Sequence, residues 1–444
     1  DGADGISWAT AKQTIQAAVD ATTNGCIVWV SNGVYATGGR AVDGALTNRV
    51  AIDRPIIVQS VNGPATTIIQ GSVENGVRCA YVGSNSVLSS FTLTNGRAYQ
   101  VGERYAGGGA LIAGGRVEHC VISGNYALTG AGASIVGAGT LSHCRVIGNS
   151  AGDTGGGGGV FSSNAGQVVD CLIADNYAEW APGVLNLGGG MELINCTISA
   201  NASFGGPAVV APTSMLWNCI VYSNNVDTGH QEIEGDPVVL HSCSPGLSGH
   251  GNVAADPQFI DAAAGNYRLQ ATSPCLDAGD DSVVQWDEDL DGNQRIVYGA
   301  VDMGAYEAQL SGVGTWFGAI TNGLTNDLDC AAGDGMPNLL KYATGGSPRV
   351  ADDNEFVGGS WSGLWPILTF HRNPNATDVR FVVESAETMA SGAVWRGVAT
   401  NVGGSWLGAT NVAESGTGNP VECTVTDPVA LDSNRFLRLK ISRP

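Results

Sequence analysis

Six cysteines recur through the middle of this chain at near-constant spacing. Cys120, Cys144, Cys171, Cys196, Cys219 and Cys243 follow one another in steps of 24, 27, 25, 23 and 24 residues. The text around them repeats too, as in VEHCVISGNYA, LSHCRVIGNSA and VVDCLIADNYA. The first five copies place an asparagine five residues after the cysteine: Asn125, Asn149, Asn176, Asn201 and Asn224. A cysteine-free copy upstream, VLSSFTLTNGRA, offers Asn95 in the same place. A period in the mid-twenties with no helical pattern is the mark of a β-solenoid. One coil cannot bury its inner face alone, so coils must stack. Stacking sets equivalent residues about 4.8 Å apart. The cysteines are therefore expected as one inner column and the asparagines as another, at a turn where amides bond along the stack. Stacked Cα atoms fall within disulfide range, but their side chains point the same way, so the expected state is reduced, buried thiol.

Composition agrees. Gly fills 65 positions and charged residues are only 14%, which suits strands and tight turns. The formal net charge is −21 and there are three lysines, Lys12, Lys341 and Lys440, so the basic face that a nucleic-acid partner requires is missing. No run of 18 apolar residues is present, so no membrane span is expected. An acidic surface favours solubility and divalent cations.

The coils are expected to run from near residue 26 to near residue 308, about ten in all. A capping helix over Ala11 to Asp20, with Thr10 as N-cap and Ile15 and Val19 on one face, would cover the first coil. The opening DGISWATAKQTIQAAVDA resembles that of right-handed parallel β-helix proteins of the pectate-lyase-like superfamily. NVAADPQFIDAAAGNYRLQATSPCLDAGD and DLDGNQRIVYGAVDMGAYE resemble the closing coils of choice-of-anchor Q proteins, which are secreted or surface-anchored in bacteria. The resemblance covers residues 1–308. It implies right-handed winding, export and an extracellular or cell-surface location, and no particular reaction. A strand often precedes the opening segment in similar proteins, so an open N-terminal edge is expected here. Residues 309–358 read as a linker with a short helix, where GDGMPNLLKYATGGSP resembles a segment of secreted proteins from Verrucomicrobia-like bacteria. Residues 359–444 alternate as strands (WPILTFHR, VRFVVESAE, AVWRGVATN, VECTVTD, RFLRLKIS), as in a small immunoglobulin-like β-sandwich with Trp361, Trp365 and Trp395 in its core.

Chemistry-bearing residues are few. The position just before the column cysteine reads Ser89, His119, His143, Asp170, Asn195, Asn218 and Ser242, with Glu118 and Arg145 as neighbours. His119, His143 and Asp170 on three successive coils are the catalytic candidates: two imidazoles and a carboxylate can hold a metal or run acid–base chemistry. The competing reading is a polar column at a coil corner. It is preferred, because a position repeated in every coil answers to the coil. The Ca²⁺ cluster with an Arg or Lys base that pectate-lyase-like lyases use has no counterpart. Glu103–Arg104 is the one local pair in a loop, and Asp170 with Asp175 is the nearest approach to paired hydrolase carboxylates. In WDEDLDGNQR, Asp287, Asp289, Asp291 and Gly292 match the first half of an EF-hand-type loop, but position twelve is Tyr298. A structural Ca²⁺ and a solvated acidic turn both fit. A second acidic stretch, NDLDCAAGDG, resembles a Ca²⁺ segment, with Cys330 and Ala332 at ligand positions.

The expected function is that of a structural or binding protein: a rod that displays its C-terminal domain, binds glycans, or joins like subunits end to end or in a fibre. The alternative is a polysaccharide lyase or glycoside hydrolase acting on an acidic glycan.

Overall fold

The computed structural model describes residues 2–42, 44–98, 106–152, 154–226, 229–297, 300–309, 338–345, 357–362, 365–389, 393–407, 411–416, 420–429 and 435–443. The chain divides into two compact units. The first comprises Asp1–Pro257, Ala278–Gly292 and Met303–Tyr306; the second comprises Gln258–Asp277, Asn293–Asp302 and Glu307–Pro444.

The first unit is a parallel β-solenoid of about seven turns. Each coil lays one short strand on each of three sheets. The first sheet runs from Ile27–Val30 to Val238–Leu240, the second from Gly33–Tyr35 to Ile220–Tyr222, and the third from Thr47–Ile52 to Ile233–Glu234. Strands pair in strict register, for example Val117 with Leu141 and Ile122 with Val146. Register makes columns: Leu88, Val117, Leu141, Val168, Leu193 and Leu216 are fully buried in line on the first sheet. Ile122, Val146, Ile173, Ile198 and Val221 do the same on the second. Each such side chain contributes about 1.5–3 kcal/mol when buried. The gain is collected only when the next coil is present.

Seven turns is fewer than the ten expected. Parallel stacking stops where Ile220 bridges Cys243 and Cys243 bridges Val253. Beyond that point the sequence loses its Gly–Cys–Asn repeat and pairs antiparallel, in hairpins Phe259–Asp261 with Asn266–Leu269 and Ile296–Val297 with Ala300–Val301.

At the other end, helix α1 spans Ile15–Ala21, four residues later than expected, because Thr14 and not Thr10 caps it: its hydroxyl accepts from Ala17 N at 3.2 Å. Ile15, Gln16 and Val19 are buried. Gln16 accepts from Ala51 N at 2.7 Å and donates to Ala51 O at 3.3 Å, so a side chain satisfies part of the first coil's raw edge. Among the described residues the strand Ile27–Val30 pairs on one side only, with Ile57–Ser60, and leaves Ile27 and Trp29 about half exposed.

The Gly-rich runs have a sharper cause than turn geometry. A Cβ on Gly159 would lie 2.6 Å from Ile173 Cγ2, 2.7 Å from Gly183 O and 3.0 Å from Asn176 Nδ2. The glycine is needed because the asparagine and isoleucine columns press against the third sheet there.

In the second unit, two four-stranded antiparallel sheets resemble a small β-sandwich. One contains Val357–Ser362, Trp365–Arg372, Val421–Thr426 and Val412–Ser415; the other Ser405–Trp406, Arg396–Val402, Arg380–Ala386 and Phe436–Ser442. Its buried residues include Leu368, Phe370, Phe381, Val383, Cys423 and Val425, with Phe370 and Phe381 stacked at 6.1 Å. Trp365, expected in the core, stands at the surface instead. Trp365 is 39% exposed, Trp395 lies under Arg438 at 4.0 Å, and the Trp361 side chain lies outside the described residues. Smaller rings fill the space between these sheets. Helix α2, Asn338–Thr344, is tied to them by Asn373 N donating to Ala343 O and Tyr342 Oη donating to Asp378.

Candidate functional site

From the strand Val87–Ser89 onward, each first-sheet strand leads into one residue in the left-handed region. The register places there Ser90, His119, His143, Asp170, Asn195, Asn218 and His241, with φ between 46° and 70°. Two positions differ from the sequence expectation, each by one residue. Phe91 takes the cysteine place opposite Cys120, so Ser90 and not Ser89 is at the corner. Asn95 then faces Gly124, and Gly96 faces Asn125. At the far end Ser242 takes the cysteine place, its Oγ accepting from Cys219 N at 3.0 Å, so His241 is at the corner and Cys243 sits one step further on. Short polar side chains at these positions suit a conformation that bulky residues resist.

The left-handed corner also explains the cysteines. It reverses the direction of the ladder: His119 N donates to the following coil at Ser142 O, whereas Val121 N donates to the preceding coil at Phe91 O. The amide between them needs another acceptor. Cys120 N points to Cys144 Sγ at 3.4 Å, and Cys144 N points to Cys171 Sγ at 3.4 Å. The thiols are free, and burial together with neighbouring thiols pushes Cys144 and Cys196 well above the usual thiol range. Such groups are inert as nucleophiles.

The structure does bring the three catalytic candidates together. His119 stacks on His143 with ring centroids 4.8 Å apart, and His143 Nε2 lies 3.8 Å from Asp170 Oδ2. The line continues as Asn195 Nδ2 donates to Asp170 Oδ1 at 3.0 Å and Asn218 Nδ2 to Asn195 Oδ1 at 3.0 Å. His143 and Asp170 are buried, and His119 keeps an exposed face. Burial of the His119 ring, and then the adjacent His143, hold its pKa below the ordinary imidazole value, against the pull of Glu118 and Glu288.

A strap of the chain's own backbone, within Ala278–Gly292, covers this line and runs back along the stack. His241 Nδ1 meets Ala278 O at 3.3 Å. Asn218 donates to Asp280 O at 3.0 Å and accepts from Asp280 N at 2.7 Å. His143 Nε2 donates to Glu288 O at 3.0 Å, which fixes the proton on that nitrogen because a carbonyl can only accept. Trp286 packs edge-on to His143 at 5.7 Å and beneath Arg116 at 5.6 Å. Arg145 reaches Asp291 at 2.9 Å.

The EF-hand-like residues lie in this strap and do not make a cation cradle. Asp291 is engaged by Arg145, Asp289 Oδ1 accepts from Asp291 N at 2.9 Å in a turn completed by Gly292 at φ 79°, and Asp287 is exposed. Among the described residues no group of three or more His, Cys, Asp or Glu side chains is placed to hold a metal ion. Glu103, Arg104, Tyr298 and the stretch 326–335 lie outside the described residues. Asp175 is exposed beside the second corner, while Asp170 is fully buried in the first, so the two do not face a common substrate.

Other carboxylates are taken up by backbone. Glu307 accepts from Val297 N and Asp302 N, each at 3.0 Å, and Asp302 accepts from Asp277 N and Ala308 N, each at 2.7 Å. Burial and the nearby Asp302 raise Glu307 well above the carboxylate range. Sequence reasoning missed the strap. The signal was the column itself: Asp170, Asn195 and Asn218 bond to one another, but the remaining polar atoms of His143 and Asn218 called for partners outside the repeat.

No protein-family model matches the chain, and no curated protein matches it.

Proposed function

We propose that this chain is a non-catalytic extracellular protein of a bacterium, a right-handed β-helix rod of the choice-of-anchor Q type that carries an immunoglobulin-like domain at the cell surface. One observation carries the reading. In the best grouping of catalytic side chains, His119–His143–Asp170, the central His143 lies under the chain's own strap and donates to a strap carbonyl, and Asp170 is buried. Glu307 and Asp302 are taken up by backbone amides, and Asp291 by Arg145. No helix among the described residues is long and apolar enough to cross a membrane. Contact with like subunits belongs to the same proposal. The half-paired strand Ile27–Val30, with Ile27 and Trp29 exposed, is where strand addition would occur. Glycan binding would use the solenoid's exposed faces without turnover.

The test is incubation of the full chain with neutral and acidic polysaccharides, scoring new reducing ends and unsaturated products, beside the His143→Asn variant. The reading expects neither protein to exceed the blank. Turnover by the wild type that His143→Asn abolishes would establish the lyase or hydrolase instead.

A further inference from the structure

The buried column of the first sheet finishes differently at its two ends. At the far end Asn252 Nδ2 donates to Val239 O at 2.8 Å, so a side chain closes the edge of the last strand, Val238–Leu240. At the near end the column passes from Leu88 through Val58 to Val28 and stops. Ile57 N donates to Cys26 O at 3.1 Å and Val61 N to Val30 O at 3.0 Å. Residues of a parallel strand alternate between their two neighbours, so Val28 and Val30 bond towards Ile57–Ser60, and the N–H and C=O groups of Ile27 and Trp29 face the other way. Among the described residues no strand meets them there.

Beside that edge lies a cavity of about 560 Å³. Its lining includes Val28 and Trp29 from the strand, Ile15 from α1, and Ile6, Trp8 and Lys12 from the segment before the helix. Ile6 is 87% and Trp8 63% exposed, so the chain leaves this apolar wall uncovered. Charge narrows the choice of occupant. The chain carries −21, yet residues 1–73 hold four basic and five acidic side chains, so nearly all of the excess lies elsewhere. Lys12, at the cavity, is the one lysine before Lys341. A basic partner is drawn to the rest of the chain, whereas an uncharged one matches this end.

We propose, resting on the reading of Ile27–Val30 as a site of strand addition, that this cavity is the acceptor site for one extended, uncharged peptide strand with apolar residues at alternate positions. The peptide backbone pairs with the outward N–H and C=O groups of Ile27 and Trp29. Every second side chain enters the cavity above Val28 and Val30 and lengthens the core column by one layer. The others lie beside Ile27 and Trp29, where branched and aromatic neighbours strengthen the pairing. A pocket of this size takes a few residues of chain and not a folded coil, so the partner offers a strand and not a solenoid end.

The probe is a labelled peptide of the chain's own uncharged segment 55–61, PIIVQSV, which already packs beside this strand. Fluorescence anisotropy with the full chain reads binding, and hydrogen exchange reads the amides of Ile27 and Trp29. Binding is expected, with slower exchange at those two amides. A peptide carrying Val58→Lys, which would put a charge in the core column, is expected not to bind. In the protein, Trp29→Pro removes an outward N–H and none of the bonds to Ile57–Ser60, a change that edge strands tolerate. It is expected to weaken binding roughly tenfold or more. Should it fail to fold, Trp8→Glu, at an exposed position, charges the cavity wall and is expected to weaken binding to a similar degree. No binding by the wild type up to about 1 mM overturns the proposal. So does binding that leaves exchange at Ile27 and Trp29 unchanged, or that survives both substitutions. Sedimentation of the full chain without peptide separates the two readings. Self-association that Trp29→Pro abolishes, with no peptide bound by the wild type, keeps contact between like subunits and removes the peptide site. Peptide binding by a chain that stays monomeric upholds the peptide site and removes that contact.

Discussion

The solenoid carries two polar columns, one at each end of its second sheet, and they solve the same problem in opposite ways. The asparagine column points inward. Asn125 Nδ2 donates to Asn149 Oδ1 at 3.0 Å, Asn149 to Asn176 at 2.9 Å, Asn176 to Asn201 at 2.9 Å and Asn201 to Asn224 at 2.9 Å. Each oxygen also takes the backbone amide of the preceding asparagine, as Asn176 does for Asn149 at 3.0 Å. The ladder ends on the buried carboxylate of Glu232, which accepts both donors of Asn224. The other column points outward and holds His, Asp and Asn in place of one repeated residue. It is completed by a strap from far along the chain. A buried polar group must be satisfied within the fold. An inward column can do so only by repeating itself, whereas an outward one is free to vary provided that something lies across it.

That contrast can be broken at specific residues. Asn176→Ala is expected to have the largest effect, about 3 kcal/mol or more, because it leaves Asn149 N and Nδ2 without their acceptor in the core. The urea midpoint of the solenoid reads it. Gly159→Ala should follow at about 2 kcal/mol, since its Cβ meets backbone and core side chains and the coils must separate to admit it. Asn218→Ala removes the amide pair to Asp280 and the bond to Asn195 Oδ1, and should cost about 1–2 kcal/mol, with the inner asparagine ladder intact. Arg145→Met breaks a half-exposed contact with Asp291. It should cost well under about 1 kcal/mol, and the difference from wild type should vanish in molar salt. An Asn218→Ala loss as large as that of Asn176→Ala would erase the distinction between the columns.

The solenoid was legible from the cysteines and asparagines because stacking turns sequence period into spatial column. What the period could not give was phase at the ends. Phe91 and Ser242 replace cysteine in the first and last corners, so counting from Cys243 or from Asn95 misplaced the frame by one residue. The number of turns was overestimated for a related reason. The segment 258–308 keeps apolar residues and tight turns but lacks the repeat, and it pairs antiparallel. The candidate site was legible in part. In-register stacking required His119, His143 and Asp170 to be neighbours, and they are. The cover over His143 was not legible, because it comes from Trp286 and Glu288, more than a hundred residues away and linked to the column by no pattern. The strap's acidic text, WDEDLDG, suggested a cation loop. Arg145, on a coil that the sequence could not place beside it, takes Asp291 instead.

The central claim is that the inner column is self-sufficient and the outer column exists to hold the strap. Hydrogen exchange in the Asn218→Ala variant near neutral pH tests it most directly. The account predicts faster exchange in peptides spanning Asp280 to Asp291, with the amides of Asn149, Asn176 and Asn201 as protected as in the wild type. Equal acceleration of the ladder amides, or a strap that exchanges no faster than before, would contradict it.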